Sequence, residues 1–193
     1  MKVLAINGSP RESGNTAFLL KRICGELEEE GIRTETMQVG GADIQGCNAC
    51  YKCSTERNRR CSVDEDEAND FITKMFEADG IILASPTYFT DVSAEMKALI
   101  DRAGLVARGN GNLLRRKVGA AVVTMRRAGA IHAFDTLNHF FLINEMIVPG
   151  SSYWNICVAR DPGEAEHDQE GLRTMDTLAR NMAWLLKKLG GKK

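Results

Sequence analysis

The chain lacks an excess of charge of either sign: over 193 residues the formal net charge is -1, with charged residues at 26% and hydrophobic residues at 44%. That balance leaves no footprint for nucleic acid and suits an ordinary folded domain whose partners are small molecules or proteins. Long apolar runs are missing too. The opening MKVLAINGSP holds only a few apolar residues before a glycine turn, too few for a signal-peptide core or a membrane span, so a cytoplasmic protein without membrane contact is expected. The histidines, His132, His139 and His167, are scattered, and no Ser-His-Asp or paired-carboxylate arrangement stands out, which argues against a hydrolase. The first glycine-bearing loop carries neither the G-x-G-x-x-G of dinucleotide folds nor the GK[ST] ending of a P-loop.

What the chain does have is alternation. Residues 2–7 form a short apolar stretch ended by Gly-Ser-Pro, which reads as a buried parallel strand. Helical spacing follows over 15–30, closed by Gly31, and a second strand over 33–39. A helix is predicted over 64–78, a strand over 80–85, and a helix from a Ser93 cap to about 107. Then come a strand at 117–124, a helix at 131–145 with Phe134, Leu137, Phe141 and Leu142 inward, an extended segment over 147–158 broken by Pro149-Gly150, and a closing helix at 171–189. Five strands alternating with five helices imply right-handed βαβ units in one three-layer α/β domain spanning 1–193. Ligands of such sheets sit beyond the carboxyl ends of the strands.

The loop GSPRESGNT joins the first strand to the first helix, where backbone amides and the helix dipole favour an anion. Ser9, Arg11, Ser13, Asn15 and Thr16 supply the donors that a terminal phosphate monoester needs, although helix caps and turns use the same residue types. After the third strand, Pro86, Thr87, Tyr88 and Phe89 offer apolar faces and hydrogen bonds suited to a flavin ring, or cover for the sheet end. After the fourth, the loop from Thr124 to Gly129 contains Arg126 and Arg127, either lining the same pocket or solvated.

GSPRESGNT, the segment SPTYFTDVSAEMKALIDR and the α/β pattern together resemble the NADPH-dependent FMN reductase superfamily of flavodoxin-like proteins. The resemblance implies a five-stranded parallel sheet in the order 2-1-3-4-5. It also implies FMN, with the phosphate on Ser9, Arg11, Ser13, Asn15 and Thr16 and the ring bordered by Pro86 to Phe89. Thr124, Arg126 and Gly129 stand where the third flavin loop falls, and NAD(P)H is the donor such relatives imply. Homodimers or homotetramers are expected on the same ground.

Cys47, Cys50, Cys53 and Cys61 form C-x2-C-x2-C-x7-C within an insertion at 46–63. In a domain large enough to hold its own core, such clustering points to metal or redox chemistry. Thiolates at short spacing are the usual ligands of 4Fe-4S clusters, while zinc, a redox disulfide and metal-free thiols remain alternatives. Cys24 and Cys157 fall in helix and strand patterns and read as ordinary buried residues. The motif resembles that of the iron-sulfur flavoproteins. This implies a redox protein passing electrons between a 4Fe-4S cluster and FMN, with ferredoxin or another protein or small molecule as partner. Glu56, Arg57, Asn58, Arg59 and Arg60 make the same loop a basic patch suited to an acidic carrier, or a solvated surface. A second reading is an NAD(P)H-dependent flavin or quinone reductase whose cysteines hold zinc or nothing, and a third is a non-catalytic regulatory module.

Overall fold

The computed structural model describes residues 1–190; the last three residues of the expected domain lie outside the described residues. The elements are β1 (Lys2–Asn7), α1 (Asn15–Glu29), β2 (Arg33–Gln38), α2 (Lys52–Glu56), α3 (Ala68–Glu77), β3 (Gly80–Pro86), α4 (Ala94–Gly109), β4 (Val118–Met125), α5 (Ala130–Ile143), β5 (Ile156–Val158), a 3-10 turn (Glu164–His167) and α6 (Gln169–Gly190). The strands form one sheet in the order β2-β1-β3-β4-β5, all pairs parallel, as expected.

Because successive side chains of a strand point to opposite faces, each central strand feeds two cores. Leu4 and Ile6 of β1, Ile81 and Leu83 of β3, and Ala121 and Val123 of β4 pack with α3, α4 and α5. Val3 and Ala5, Ile82 and Ala84, and Ala120 and Val122 pack with α1 and α6 on the other side. Near-continuous burial along β1, β3 and β4 is what helices on both faces require.

The structure departs from expectation in several details. The helix predicted from 64 starts at Ala68, because the Asp66 carboxylate is engaged by the amides of Gln45 and Ala68 and by Arg102. The cysteine insertion contains a five-residue helix, α2, not expected from its sequence. The extended segment at 147–158 splits. Ile147 bridges Val118, while only Ile156–Val158 joins the sheet, and between them the Asn155 amide donates to Ala121 O at 2.9 Å. On α5 the inward face holds Phe140 and Phe141, and Leu142 is 61% exposed. The Ser93 cap holds, its Oγ accepting from the Met96 amide at 3.4 Å, and α4 continues to Gly109. No helix among the described residues is long and apolar enough to cross a membrane.

Candidate functional site

The carboxyl ends of β1, β3, β4 and β5 enclose a cleft of about 290 Å³, lined by Ser9, Arg11, Asn15, Thr16, Pro86, Thr87, Tyr88, Thr124 and Arg126. The predicted loops are thus brought together. Met125, from the loop after the fourth strand, also lines the cleft, as do Ala159, Arg160 and Asp161, which were not expected. The rule that ligands sit at the strand ends nominates the β5 loop as much as the others, and that was the signal available.

The floor is tightly bonded. Asn7 is 2% exposed; its amide donates to Gln38 Oε1 at 2.7 Å and its Oδ1 accepts from the Ser9 amide at 3.0 Å. Ser9 Oγ accepts from the Arg11 amide, and Thr16 and Thr124 share a buried hydroxyl pair at 2.9 Å. Thr87 donates to Thr124 O through both its amide and its Oγ1, at 2.8 and 3.0 Å. The Asn15 side chain donates to Asp161 O and accepts from the amides of Gly163 and Ala165, so it ties the loop after β5 onto α1. Gly40 presses against this floor; a Cβ there would lie 2.2 Å from the Ser9 carbonyl carbon.

The donor chemistry fits a phosphate. Helix α1 starts at Asn15 after Gly14, which supplies no side-chain cap, so the first-turn amides face the cleft without an intrahelical partner. Arg11 and Arg126 add charge, and Pro86, Tyr88 and Met125 give the apolar wall a flavin ring needs. Three predicted residues stand outside the lining. Ser13 is exposed, and Gly129 lies behind the β3 loop against Thr90. Phe89 is fully exposed on a tight turn closed by the mutual Tyr88 and Asp91 backbone bonds, with left-handed φ of 46° at Phe89 and 68° at Thr90. Two consecutive non-glycine residues in that region carry strain of about 1–3 kcal/mol each.

The cysteine insertion leaves β2 beside the cleft but does not stay there. The Gly41 amide donates to Glu95 Oε1 at the start of α4, Gln45 O accepts from Arg102 midway, and Cys53 O accepts from Asn110 at the far end. At 1.5 Å of rise per residue, Arg102 lies about 14 Å along α4 from Ser93, and Gly109 about 24 Å. The cysteine segment therefore runs along α4, away from the start of that helix, over the side that carries Arg102. Gly109 permits the docking of α2, since a Cβ there would meet Ser54 Oγ at 2.6 Å.

Cys53 is buried, Cys61 half-buried, and Cys47 and Cys50 are exposed. Burial pushes the Cys53 thiol up; a hydrogen bond with Ser54 opposes this, and the charges of Cys61, Cys50 and Cys47 push it up further. Hydrogen bonding by Ser62 and the Lys52 amide holds the Cys50 thiol below its ordinary value. The Ala49 amide approaches Cys47 Sγ at 3.4 Å, on a loop with left-handed φ at Ala49, Tyr51, Arg57 and Arg59. Among the described residues no three His, Cys, Asp or Glu side chains close on a point to seat a single ion. The fit to an iron-sulfur group therefore lies in the donor chemistry, four soft thiols closely spaced on one loop with N–H and O–H neighbours.

Cys61 is the best anchored of the four. Its amide donates to Asn69 Oδ1 at 2.8 Å and its carbonyl accepts from Asn69 Nδ2 at 3.0 Å. The Arg102 Nε–H points at its Sγ from 3.3 Å. Arg102 was overlooked in the sequence, yet three residues from Leu99 and four from Val106 it sits on the apolar stripe of α4, where a charge is unexpected.

Comparison with known proteins bears on both sites. Residues 1–161 match the family model of NADPH-dependent FMN reductase. An iron-sulfur flavoprotein of Methanocaldococcus jannaschii is 38% identical over 194 residues, covering 97% of this chain and 98% of the relative. One from Methanosarcina thermophila is 31% identical over 188 residues, covering 96% and 95%. Among solved structures, RosB with a bound 8-demethyl-8-formylriboflavin-5'-phosphate superposes at a TM-score of 0.80 with 21% identity, covering all of this chain and 81% of that one. A flavodoxin from the domain Archaea superposes at 0.63 with 16% identity, covering 97% and 99%. The last two likenesses concern the fold alone. From the family match and the near full-length relatives, the chain belongs to the NADPH-dependent FMN reductase family of oxidoreductases, in its iron-sulfur flavoprotein branch.

Proposed function

We propose that the protein binds FMN in the cleft at the strand ends and a 4Fe-4S cluster on Cys47, Cys50, Cys53 and Cys61, and that electrons pass between them. The observation that carries this reading is that the loop bearing four thiols is fastened along α4, the helix that follows directly from the cleft's β3 loop. The cluster supplies one-electron steps and the flavin couples them to two-electron chemistry. The chain's own residues orient and enclose. Ser9, Arg11 and the first-turn amides of α1 receive the phosphate, while Thr16, Asn15 and Thr124 hold the loops that frame it. Pro86, Thr87 and Tyr88 border the ring, and Arg126 offers charge to its reduced form. On this reading residues 46–63 are an insertion in a single flavodoxin-like domain, and an acidic protein carrier meets the basic rim at Arg57, Arg59 and Arg60.

Anaerobic purification followed by flavin, iron and acid-labile sulfide analysis tests this directly. Flavin with stoichiometric sulfide is expected. Flavin with zinc and no sulfide overturns the cluster in favour of an NAD(P)H-dependent reductase, the reading that the family description supports. Reduction of bound flavin by NADH or NADPH then separates a nucleotide-fed protein from a carrier-fed one.

A further inference from the structure

Arg102 is the bulkiest of the fully buried side chains, at 1% exposure. A guanidinium out of water is costly unless its donors are paired. Its partners all lie on one segment of the chain, between Gln45 and Asp66. Nη1 donates to Asp66 Oδ2 at 2.5 Å and to Gln45 O at 3.2 Å, Nη2 to Val63 O at 2.7 Å, and Nε to Cys61 Sγ at 3.3 Å. Gln45 precedes the first cysteine and Val63 follows the last, so one planar fork closes the neck of the cysteine loop. The Gln45 amide completes the closure, donating to Asp66 Oδ2 at 2.9 Å.

A residue that only fastened the neck would need the two carbonyls and the carboxylate. The fourth donor, Nε–H, is aimed instead at the sulfur of a ligand. Asp66 shares its charge with two amides besides Arg102, those of Gln45 and Ala68, which leaves part of the guanidinium charge directed at Cys61. Hydrogen bonds to ligand sulfurs and nearby charge are levers on the potential of an iron-sulfur centre, and groups that orient ligands govern its retention.

Resting on the cluster reading above, we propose that Arg102 is the positioning residue of the cysteine site. It fixes the Cys61 sulfur and the loop neck, and its charge favours the reduced state of the centre. Reduction adds one electron and one negative charge to the centre. No bond is made or broken in that step, and the guanidinium 3.3 Å from a ligand sulfur stabilises the added charge.

The test compares wild-type protein with Arg102→Gln and Arg102→Lys, all assembled anaerobically. FMN affinity reports the fold, iron loss to a chelator reports retention, and an EPR-monitored titration reports the cluster potential. Arg102→Gln is expected to bind FMN normally, to lose iron at least about tenfold faster, and to hold its remaining cluster at a more negative potential. Arg102→Lys keeps the charge without the fork; the expected result is a potential restored toward wild type with retention still impaired. Wild-type retention and potential in a folded Arg102→Gln protein overturn the proposal. If that variant does not fold, wild-type protein labelled with 15N-arginine decides. A nitrogen coupled to the reduced centre in the pulsed EPR spectrum is expected, and its absence overturns the proposal. Wild-type protein without acid-labile sulfide sinks the cluster reading and this inference together. A normal cluster with indifferent variants sinks only the role of Arg102.

Discussion

The flavin cleft and the cysteine loop are built in opposite ways. The cleft is made by strand ends whose spacing is set by the sheet, and its polar side chains are bonded to one another before any ligand arrives, as in the Thr16–Thr124 pair and the Asn7–Gln38 bond. The cysteine loop has only one helical turn of its own, four non-glycine residues in left-handed conformation and two exposed thiols. It is held to the domain by side chains reaching from elsewhere: Arg102, Asn110 and Asn69. One site is given by the fold and the other is fastened onto it. Perturbations of the two should therefore separate.

The largest separation is expected from Cys50→Ser. The thiol is exposed, so its loss disturbs no packing, yet on the proposed reading it removes one of four ligands. Iron and sulfide should be nearly abolished with full FMN content in the same sample; loss of FMN along with iron would break the comparison.

Next is Asp66→Asn, which leaves Arg102 without its carboxylate although both side chains are almost wholly buried. Removing one partner of a buried pair costs about 3–5 kcal/mol. Hydrogen exchange should show residues 45–66 opening while the strand amides and FMN affinity are retained. Cooperative loss of the whole sheet would show that the loop is integral to the fold.

Gly40→Ala should act in the reverse sense. The new methyl meets the Ser9 backbone, which must shift, at a cost of about 1–3 kcal/mol. Weaker FMN binding with unaltered iron content is the expected result by flavin titration and metal analysis.

The smallest effect is expected at Glu35 on β2. Hydrogen bonds from Lys2, and then Lys74, hold its carboxyl below the ordinary range. A depressed folded value means that its contribution is present above the ordinary carboxylate range and lost as pH falls through the folded value. Glu35→Gln should thus lower stability near neutrality by roughly 0.2–1 kcal/mol, less so in acid, and leave both cofactors in place. Urea titrations at two pH values check this.

Much of the cleft was legible in the sequence because loop identity follows from strand order. GSPRESGNT and SPTYF had to meet once β1 and β3 were neighbours in a parallel sheet. The anchoring of the cysteine loop was not legible in the same way. Its spacing marked four cysteines as a unit, but where the loop lies depends on bonds across long sequence separations, such as Cys61 to Arg102 and Cys53 to Asn110. The extended segment was read at 147–158, but its shortening to Ile156–Val158 was not legible, because Asn155 bonds to β4 through its side-chain amide as well as its carbonyl and apolar patterning does not register such a contact. The loop-framing bonds of Asn15 and Thr16 were hidden for a related reason: their amide and hydroxyl suit a phosphate ligand equally well.

Helix α4 begins at a cap next to one site and presents Arg102 to the other nine residues later. A single inserted or deleted residue between them would swing everything downstream by about 100° and shift it by about 1.5 Å, turning the guanidinium off the loop neck. Letters at its solvent-facing positions, such as Lys97 and Asp101, are free to drift across generations. The count of residues is not, so in descendants of this gene that keep both sites the helix should behave as a ruler whose markings change and whose length does not.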